Sequence, residues 1–148
     1  MKRKKHPALK IYLISRFLYL HHLEIIAKIF YYLNIIIFQC SLAYEADISK
    51  DVILAHPRGV IIHPDCKVGA YTQIFQRVTL GAKEVDKDVD ITVGENCILG
   101  ANCCILGEVK IGDNVRVGAN SVVVKDVKSN TTVVGIPAKK VQKKKKKK

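Results

Sequence analysis

A coil of short parallel β-strands behind a short N-terminal α-helical region, a mainly β fold, is what this 148-residue sequence predicts. Two observations predict it. Aliphatic residues return every six positions, at Ile62, Val68, Ile74 and Leu80 and again at Val93, Leu99, Ile105, Ile111, Val117 and Val123. Eight of the ten Phe and Tyr residues, by contrast, fall between Tyr12 and Tyr44, so the texture of the chain changes near residue 45. The length suits one folded unit. It divides into a helical region at 1–45, a coil at 46–138 and a Lys-rich tail at 139–148.

In the helical region Ile11, Ile14, Leu18, Ile25, Ile29, Leu33 and Ile36 recur at spacings of three, four or seven, while Lys10, His21, Glu24 and Lys28 gather on another face. That pattern predicts one or two amphipathic helices. The longest uncharged piece, Ile29 to Tyr44, is shorter than the ~20 residues needed to span a bilayer. Packing on the chain's own coil or on a sister subunit is the expectation, with peripheral membrane contact as the alternative.

The six-residue period carries specific physics. Each hexapeptide is a short strand and a corner, three of them close one triangular turn of eighteen residues, and residues eighteen apart stack. Repeating aliphatics fill the narrow interior. Gly69, Gly81, Gly94, Gly100, Gly112 and Gly118 each follow one of them and are expected to turn the corners. Small or β-branched side chains four positions after the aliphatic, such as Cys66, Thr72, Cys97 and Cys103, share the interior. Coils ~4.8 Å apart satisfy each other's backbone groups, so several are needed, and about four fit between Asp47 and Lys128. The register breaks twice. Between Leu80 and Val93 the step is thirteen, and the polar run AKEVDKDVDIT is expected to leave the wall as a loop. Between Leu54 and Ile62 the step is eight, and the irregular corner beside His56 is expected to push a side chain outward.

Charge and cysteine content exclude several functions. The net charge of +12 resides in Lys2 to Lys5, Lys139, Lys140 and Lys143 to Lys148; between them the basic residues balance the 13 acidic ones. A neutral body argues against nucleic-acid binding. Five cysteines with no CxxC pair fit neither a disulfide framework nor a zinc knuckle, and point to reduced thiols in a cytoplasmic protein. No metal site is legible, since the coil holds only His56 and His63. His56 is the candidate catalytic residue, because an imidazole can take a proton from an alcohol near neutral pH. A turn histidine without a role is the alternative. His63 is expected to face solvent, and His6, His21 and His22 to be solvated or packed.

Taken together, the segments LAHPRGVIIHPDCKVG, IFQRVTLG, VGENCILGANCCILGEVKIGDNVRVGANSVV and VVGIPAKKV resemble the serine acetyltransferase branch of the hexapeptide-repeat acyltransferases, and short relatives of it associated with polysaccharide synthesis. The resemblance implies a left-handed β-helix that forms a homotrimer, with acetyl-CoA in a groove between subunits and no metal. It implies His56 as general base in the H-x-x-G-x-x-I segment and Gly81 beside the thioester. Ala101 and Ala119 would line the pantetheine channel, with Gly135 and Lys139 of the G-x-P-A-[KR] turn near the nucleotide. The acceptor would be a hydroxyl-bearing small molecule or glycan, either a sugar or L-serine. Departures lie on the acceptor side: Ala55 and Asp88 replace an acidic residue and a loop histidine of the family, and the carboxylate that orients the histidine aligns with Ser41, leaving Glu45, Asp47 or Asp51 as substitutes. A noncatalytic scaffold docking on a partner or membrane surface is the alternative function.

Overall fold

The computed structural model describes residues 5–85 and 87–141, so the lysine runs Lys2 to Lys4 and Lys143 to Lys148 lie outside the described residues. Two helices lead the chain, α1 at Pro7–Leu20 and α2 at Glu24–Phe38. His6 caps α1, its side chain accepting the Ala8 N–H at 3.2 Å, and Pro7 supplies a first position whose missing N–H costs nothing. Glu24 lies in the first turn of α2, and Gln39 ends that helix in the left-handed conformation. Buried polar bonds join the pair: Ser15 Oγ donates to Ala27 O at 2.7 Å and Asn34 Nδ2 donates to Ala8 O at 3.1 Å.

Both helices are fastened to the coil, α2 by the Tyr31 hydroxyl, which shares a hydrogen bond with Ser41 Oγ at 2.8 Å, and α1 more extensively. Ala8, Leu9 and Tyr12 are buried there, and the Tyr12 hydroxyl donates to Ala46 O while accepting the Ile48 N–H at 3.0 Å. Arg16 adds donors to Glu45 O and Ala46 O and an ion pair to Asp47 at 3.1 Å. Along α2, only Ala27 and Asn34 are buried, whereas Ile25 is 81% and Ile36 75% exposed. This chain leaves that apolar face uncovered. Neither helix is long and apolar enough to cross a membrane.

The coil is wound from parallel strands on three faces. One face holds β1 (Ser41–Leu42), β4 (Ile61–Ile62), β7 (Thr79–Gly81), β10 (Cys104–Leu106) and β13 (Val122–Val123). A second holds β2 (Asp47–Ile48), β5 (Cys66–Val68), β8 (Asp90–Val93) and β11 (Glu108–Ile111). The third holds β3 (Ile53–Leu54), β6 (Gln73–Ile74), β9 (Ile98–Leu99), β12 (Arg116–Val117) and β14 (Thr132–Gly135), where β15 (Ala138–Lys140) closes the stack antiparallel to β14. Inside, Leu42, Ile62, Leu80, Ile105 and Val123 form one buried column, and Leu54, Ile74, Leu99, Val117 and Val133 form another.

The wall is longer than the six-residue period predicts. It takes in Ser41 and Leu42 below and reaches Val133 above, because Leu42 pairs with Ile62 across the irregular corner. The excursion after Leu80 is shorter than predicted: Asp90 to Thr92 belong to β8, where Ile91 pairs with Cys66 and fills the interior, so only the part before Asp90 leaves the wall. The glycines also act differently. Those at 69, 94, 100, 112 and 118 have ordinary φ; a Cβ on Gly100 would fall 2.6 Å from Ala119 N on the next coil, and one on Gly112 2.6 Å from Ser129 N. They permit the close stacking of coils. The left-handed corners go instead to Tyr71, Asn96, Asn114 and Asn130 in one stack and to Gln39, Gly59, Arg77, Asn102 and Asn120 in the other. Asparagine tolerates that region better than other side-bearing residues, and Asn102 Nδ2 donates to Asn120 Oδ1 at 3.1 Å along its stack.

Two predictions follow from this packing. Gly100→Ala forces backbone apart and should lower stability by about 1–3 kcal/mol in thermal or urea unfolding, whereas Gly81→Ala, whose Cβ meets nothing nearer than Thr79 Cγ2 at 3.9 Å, should leave the melting temperature unchanged. Burial pushes the thiols of Cys40, Cys66 and Cys103 up to about 12 and also raises Cys97. Since the thiolate is the nucleophile, a thiol reagent at pH 8 should label the native protein only at half-buried Cys104, and all five cysteines after denaturation.

Candidate active site

The corner between β3 and β4 carries two residues more than its counterparts on the coils above, where the inward aliphatics are six apart. The surplus has to bulge, and it holds His56 exposed while Pro57 is buried. The pairings Leu54 with Ile74, Ile74 with Leu99, Leu99 with Val117 and Val117 with Val133 fix what stacks on that corner. Two positions beyond Ile74, Leu99, Val117 and Val133 lie Gln76, Ala101, Ala119 and Gly135; across the corner the Arg77 N–H donates to Arg58 O, so Gln76 stacks on Arg58, and His56 and Pro57 are the surplus residues that bulge at the foot of this edge. Four of the residues singled out from sequence therefore share one edge of the coil. Ala101 is half-buried and Ala119 and Gly135 are exposed, so above Gln76 the edge presents a track of small side chains. Lys139 pairs with Val134 across the β14–β15 hairpin at the top of the track.

Gly81 does not join them. It ends β7, paired with Leu106, and its neighbour on the coil below is His63, whose N–H donates to Leu80 O at 2.9 Å. Gln76 and Arg77 form the turn that leads into β7, and Gly81 ends that strand, four residues past the left-handed corner at Arg77. Within one chain, His56 and Gly81 stand at opposite margins of one face.

His56 opens onto a cleft of about 710 Å³. The coil side of its lining is His56, Pro57, Arg58, Gln76, Arg77 and Asn102, and the helical side is His6, Ile37 and Phe38. His6 was expected only to be solvated or packed, yet the fold returns it to this cleft from fifty residues away. Its ring meets Phe38 edge-on with centroids 5.4 Å apart. Burial first, and the nearby charge of His56 second, lower its pKa from the ordinary imidazole value. The local signal was the His-Pro start of α1, which places a side-chain acceptor at the cap.

None of the substitute carboxylates reaches the cleft. Asp47 pairs with Arg16, Asp51 pairs with Lys5 at 3.4 Å, and Glu45 lines a separate groove with Tyr44 and His63. Ser41, at the aligned position, shares a hydrogen bond with the Tyr31 hydroxyl at 2.8 Å. His63 is paired with Asp65 at 3.4 Å on the surface, and Asp88 is exposed on the loop before β8. Among the described residues, no cluster of three or more His, Cys, Asp or Glu side chains is placed to hold a metal ion.

Comparison with known proteins agrees with this architecture. Residues 90–125 match the family model for the bacterial transferase hexapeptide (six repeats). Serine acetyltransferase of Synechocystis sp. is 40% identical over 141 residues, covering 92% of this chain and 56% of the relative. Among solved structures, Neisseria gonorrhoeae serine acetyltransferase in complex with serine superposes with a TM-score of 0.85 at 32% identity, over 91% of this chain and 55% of that one. A serine acetyltransferase in complex with CoA superposes with a TM-score of 0.84 at 27% identity, over 90% and 55%. The chain spans about half the length of the relatives it matches. Its repeat, its three-faced wall and these matches make it a hexapeptide-repeat, serine acetyltransferase-like protein.

Proposed function

We propose that this protein is an acetyl-CoA-dependent O-acetyltransferase in which His56 is the general base. The observation that carries the proposal is the single edge on which an outward imidazole, at the corner with two surplus residues, lies at the foot of a stack that carries the small side chains of Ala101, Ala119 and Gly135. A pantetheine arm is thin and binds by backbone amides, so it needs a track without bulky side chains. Lys139 at the top of the track offers a charge-assisted contact to the phosphates of CoA. The similar structures in complex with CoA and with serine support the same chemistry. In this reading the wall winds left-handed, the N-terminal helices at 1–45 and the Lys-rich tail at 139–148 flank a catalytic coil at 46–138, and the chain works in the cytoplasm.

The reaction is a direct transfer. His56 accepts the proton of an acceptor hydroxyl, sugar or serine, as its oxygen attacks the thioester carbonyl. Backbone N–H groups near Gly81 stabilise the oxyanion, and CoA leaves as the thiol. Because Gly81 is too far from His56 in one chain, the oxyanion donors come from a second copy, which makes a homotrimer with sites between subunits part of the proposal. The uncovered apolar face of α2 supplies surface for such an assembly.

That same face favours one competing reading, a noncatalytic scaffold that docks on a membrane surface through α2 and the lysine-rich ends. The two separate cleanly. Acetyl transfer predicts thiol release from acetyl-CoA in the presence of an acceptor alcohol and thermal stabilisation by millimolar CoA; the scaffold predicts neither, and lipid-dependent sedimentation instead. His56→Ala should lower kcat by about 10²–10⁴ without shifting the melting temperature, since the side chain is exposed. Full activity in that variant removes His56 from the mechanism. Ala119→Leu should act mainly on KM for acetyl-CoA. Because protonated His56 opposes a second proton on His6, the His6 resonance should titrate below the ordinary imidazole value in the parent and move part of the way back in His56→Ala.

A further inference from the structure

The electrostatics of the cleft beside His56 are one-sided. His6, Arg58 and Arg77 line it together with His56, and no carboxylate does. Among the described residues, neither arginine forms an ion pair, although a guanidinium is always charged. Solvated surface arginines commonly go unpaired, so the case rests on their placement. The Arg77 N–H donates to Arg58 O at 2.9 Å, which sets the two residues on successive coils at the same corner, about one coil spacing of ~4.8 Å apart. Both guanidinium groups line the same cleft, so an anion that enters it can meet two positive charges.

Arg77 also occupies a position that ill suits it. Its φ is +55°, where the other corners of the stack carry Gln39, Gly59, Asn102 and Asn120, and a long side chain is uncommon in that region. The stem of Arg77 lies across Gly59, where any Cβ would fall 2.8 Å from Arg77 Cγ. Glycine at that point leaves room for Arg77 to lean over the coil below, the one that bears His56. Gln76 adds an independent observation, because its buried Oε1 has no hydrogen-bond donor in a wall of this cleft. A buried acceptor without a partner is rare and marks a place where a donor is missing.

We propose that this cleft selects an acceptor bearing an anionic group, carboxylate or phosphate, beside the hydroxyl to be acetylated, with Arg58 and Arg77 as its ligands and Gln76 Oε1 accepting a hydrogen bond from an acceptor hydroxyl. The inference rests on the acetyl-transfer reading and adds the substrate class to it. His6 fits the same role: its Nδ1 accepts the Ala8 N–H, leaving Nε2 as a donor toward the cleft. An acceptor with an ammonium group meets two guanidinium groups and no carboxylate there. L-serine is therefore a poorer fit than the compound in which a hydroxyl replaces its amine.

That compound is glycerate, which makes a matched set of probes: glycerate, glycerol 3-phosphate, L-serine and neutral glycerol, each with acetyl-CoA and thiol release as readout. Calorimetric binding of glycerate and glycerol 3-phosphate to the protein without acetyl-CoA provides a second readout. The expected result is a kcat/KM at least tenfold higher for an anionic probe than for glycerol or serine, with the better of glycerate and glycerol 3-phosphate telling carboxylate from phosphate. Arg58→Gln and Arg77→Asn should collapse that preference and the calorimetric signal; asparagine suits the left-handed backbone at position 77, so folding is preserved. Equal or better use of serine or glycerol, or a preference untouched by both substitutions, overturns the proposal while leaving acetyl transfer standing. Arginine-dependent binding of the anions with no thiol release from any probe keeps the anion site and overturns these four alcohols as acetyl acceptors. Neither binding nor preference ends the anion site outright.

Discussion

The close stacking of successive coils is the constraint on which the rest of this molecule depends. Each short strand has no partner within its own turn, so its N–H and C=O groups are satisfied only by the coils on either side. That requirement fixes the spacing and forbids side chains where backbone meets backbone, as at Gly69, Gly94, Gly100 and Gly112. It also forces the left-handed corners into two vertical stacks. The interior is then so narrow that its columns admit one aliphatic per strand, and the thiols of Cys66, Cys97 and Cys103 serve there as small apolar groups.

A wall so constrained gives a site one way to arise. Any residue added to a corner cannot be absorbed inside and must project outward, which is what the surplus at His56 does. Register then turns a projection into a site, since the residues stacked above it are set by backbone pairing and not by separate folding of each coil. In the proposed mechanism the same rigidity keeps Gly81, at the far end of β7, away from the His56 corner, so a site that uses both margins draws on two chains.

Much of this was legible in the sequence because the period is strict from Ile62 to Leu80 and from Val93 to Val123, and the two breaks are visible as counts. The edge shared by His56, Ala101, Ala119 and Gly135 follows from that register. What escaped was set by other forces. Ser41 and Leu42 join the wall through a single two-residue pairing across an irregular corner, too little sequence to display a period. The role of glycine was misassigned because close approach and positive φ leave the same residue in the sequence. The signal that separates them was present: Asn96, Asn102, Asn114, Asn120 and Asn130 each precede a small or β-branched inward residue, and all five sit in the left-handed region. His6 could not be placed from pattern at all, since its approach to His56 depends on how α1 docks through Tyr12 and Arg16.

The charge distribution gives that docking a further meaning. The body between the lysine-rich ends is neutral, so a cation-rich cleft cannot be a by-product of net charge and has to come from local arrangement. Local carboxylates are available and are used elsewhere: Asp47 holds Arg16, and Asp51 holds Lys5. Both ion pairs anchor the start of the helical region to the first coil, the contact that delivers His6 to the cleft. The acids that might have neutralised the site therefore help to build it from outside, while Arg58 and Arg77 are left facing the space that a substrate would enter. Phe38 and Ile37 face them from the helical side of the cleft. In the proposed site the donor side follows the coil's register and the acceptor side follows the docking of α1, so the two halves are free to diverge independently.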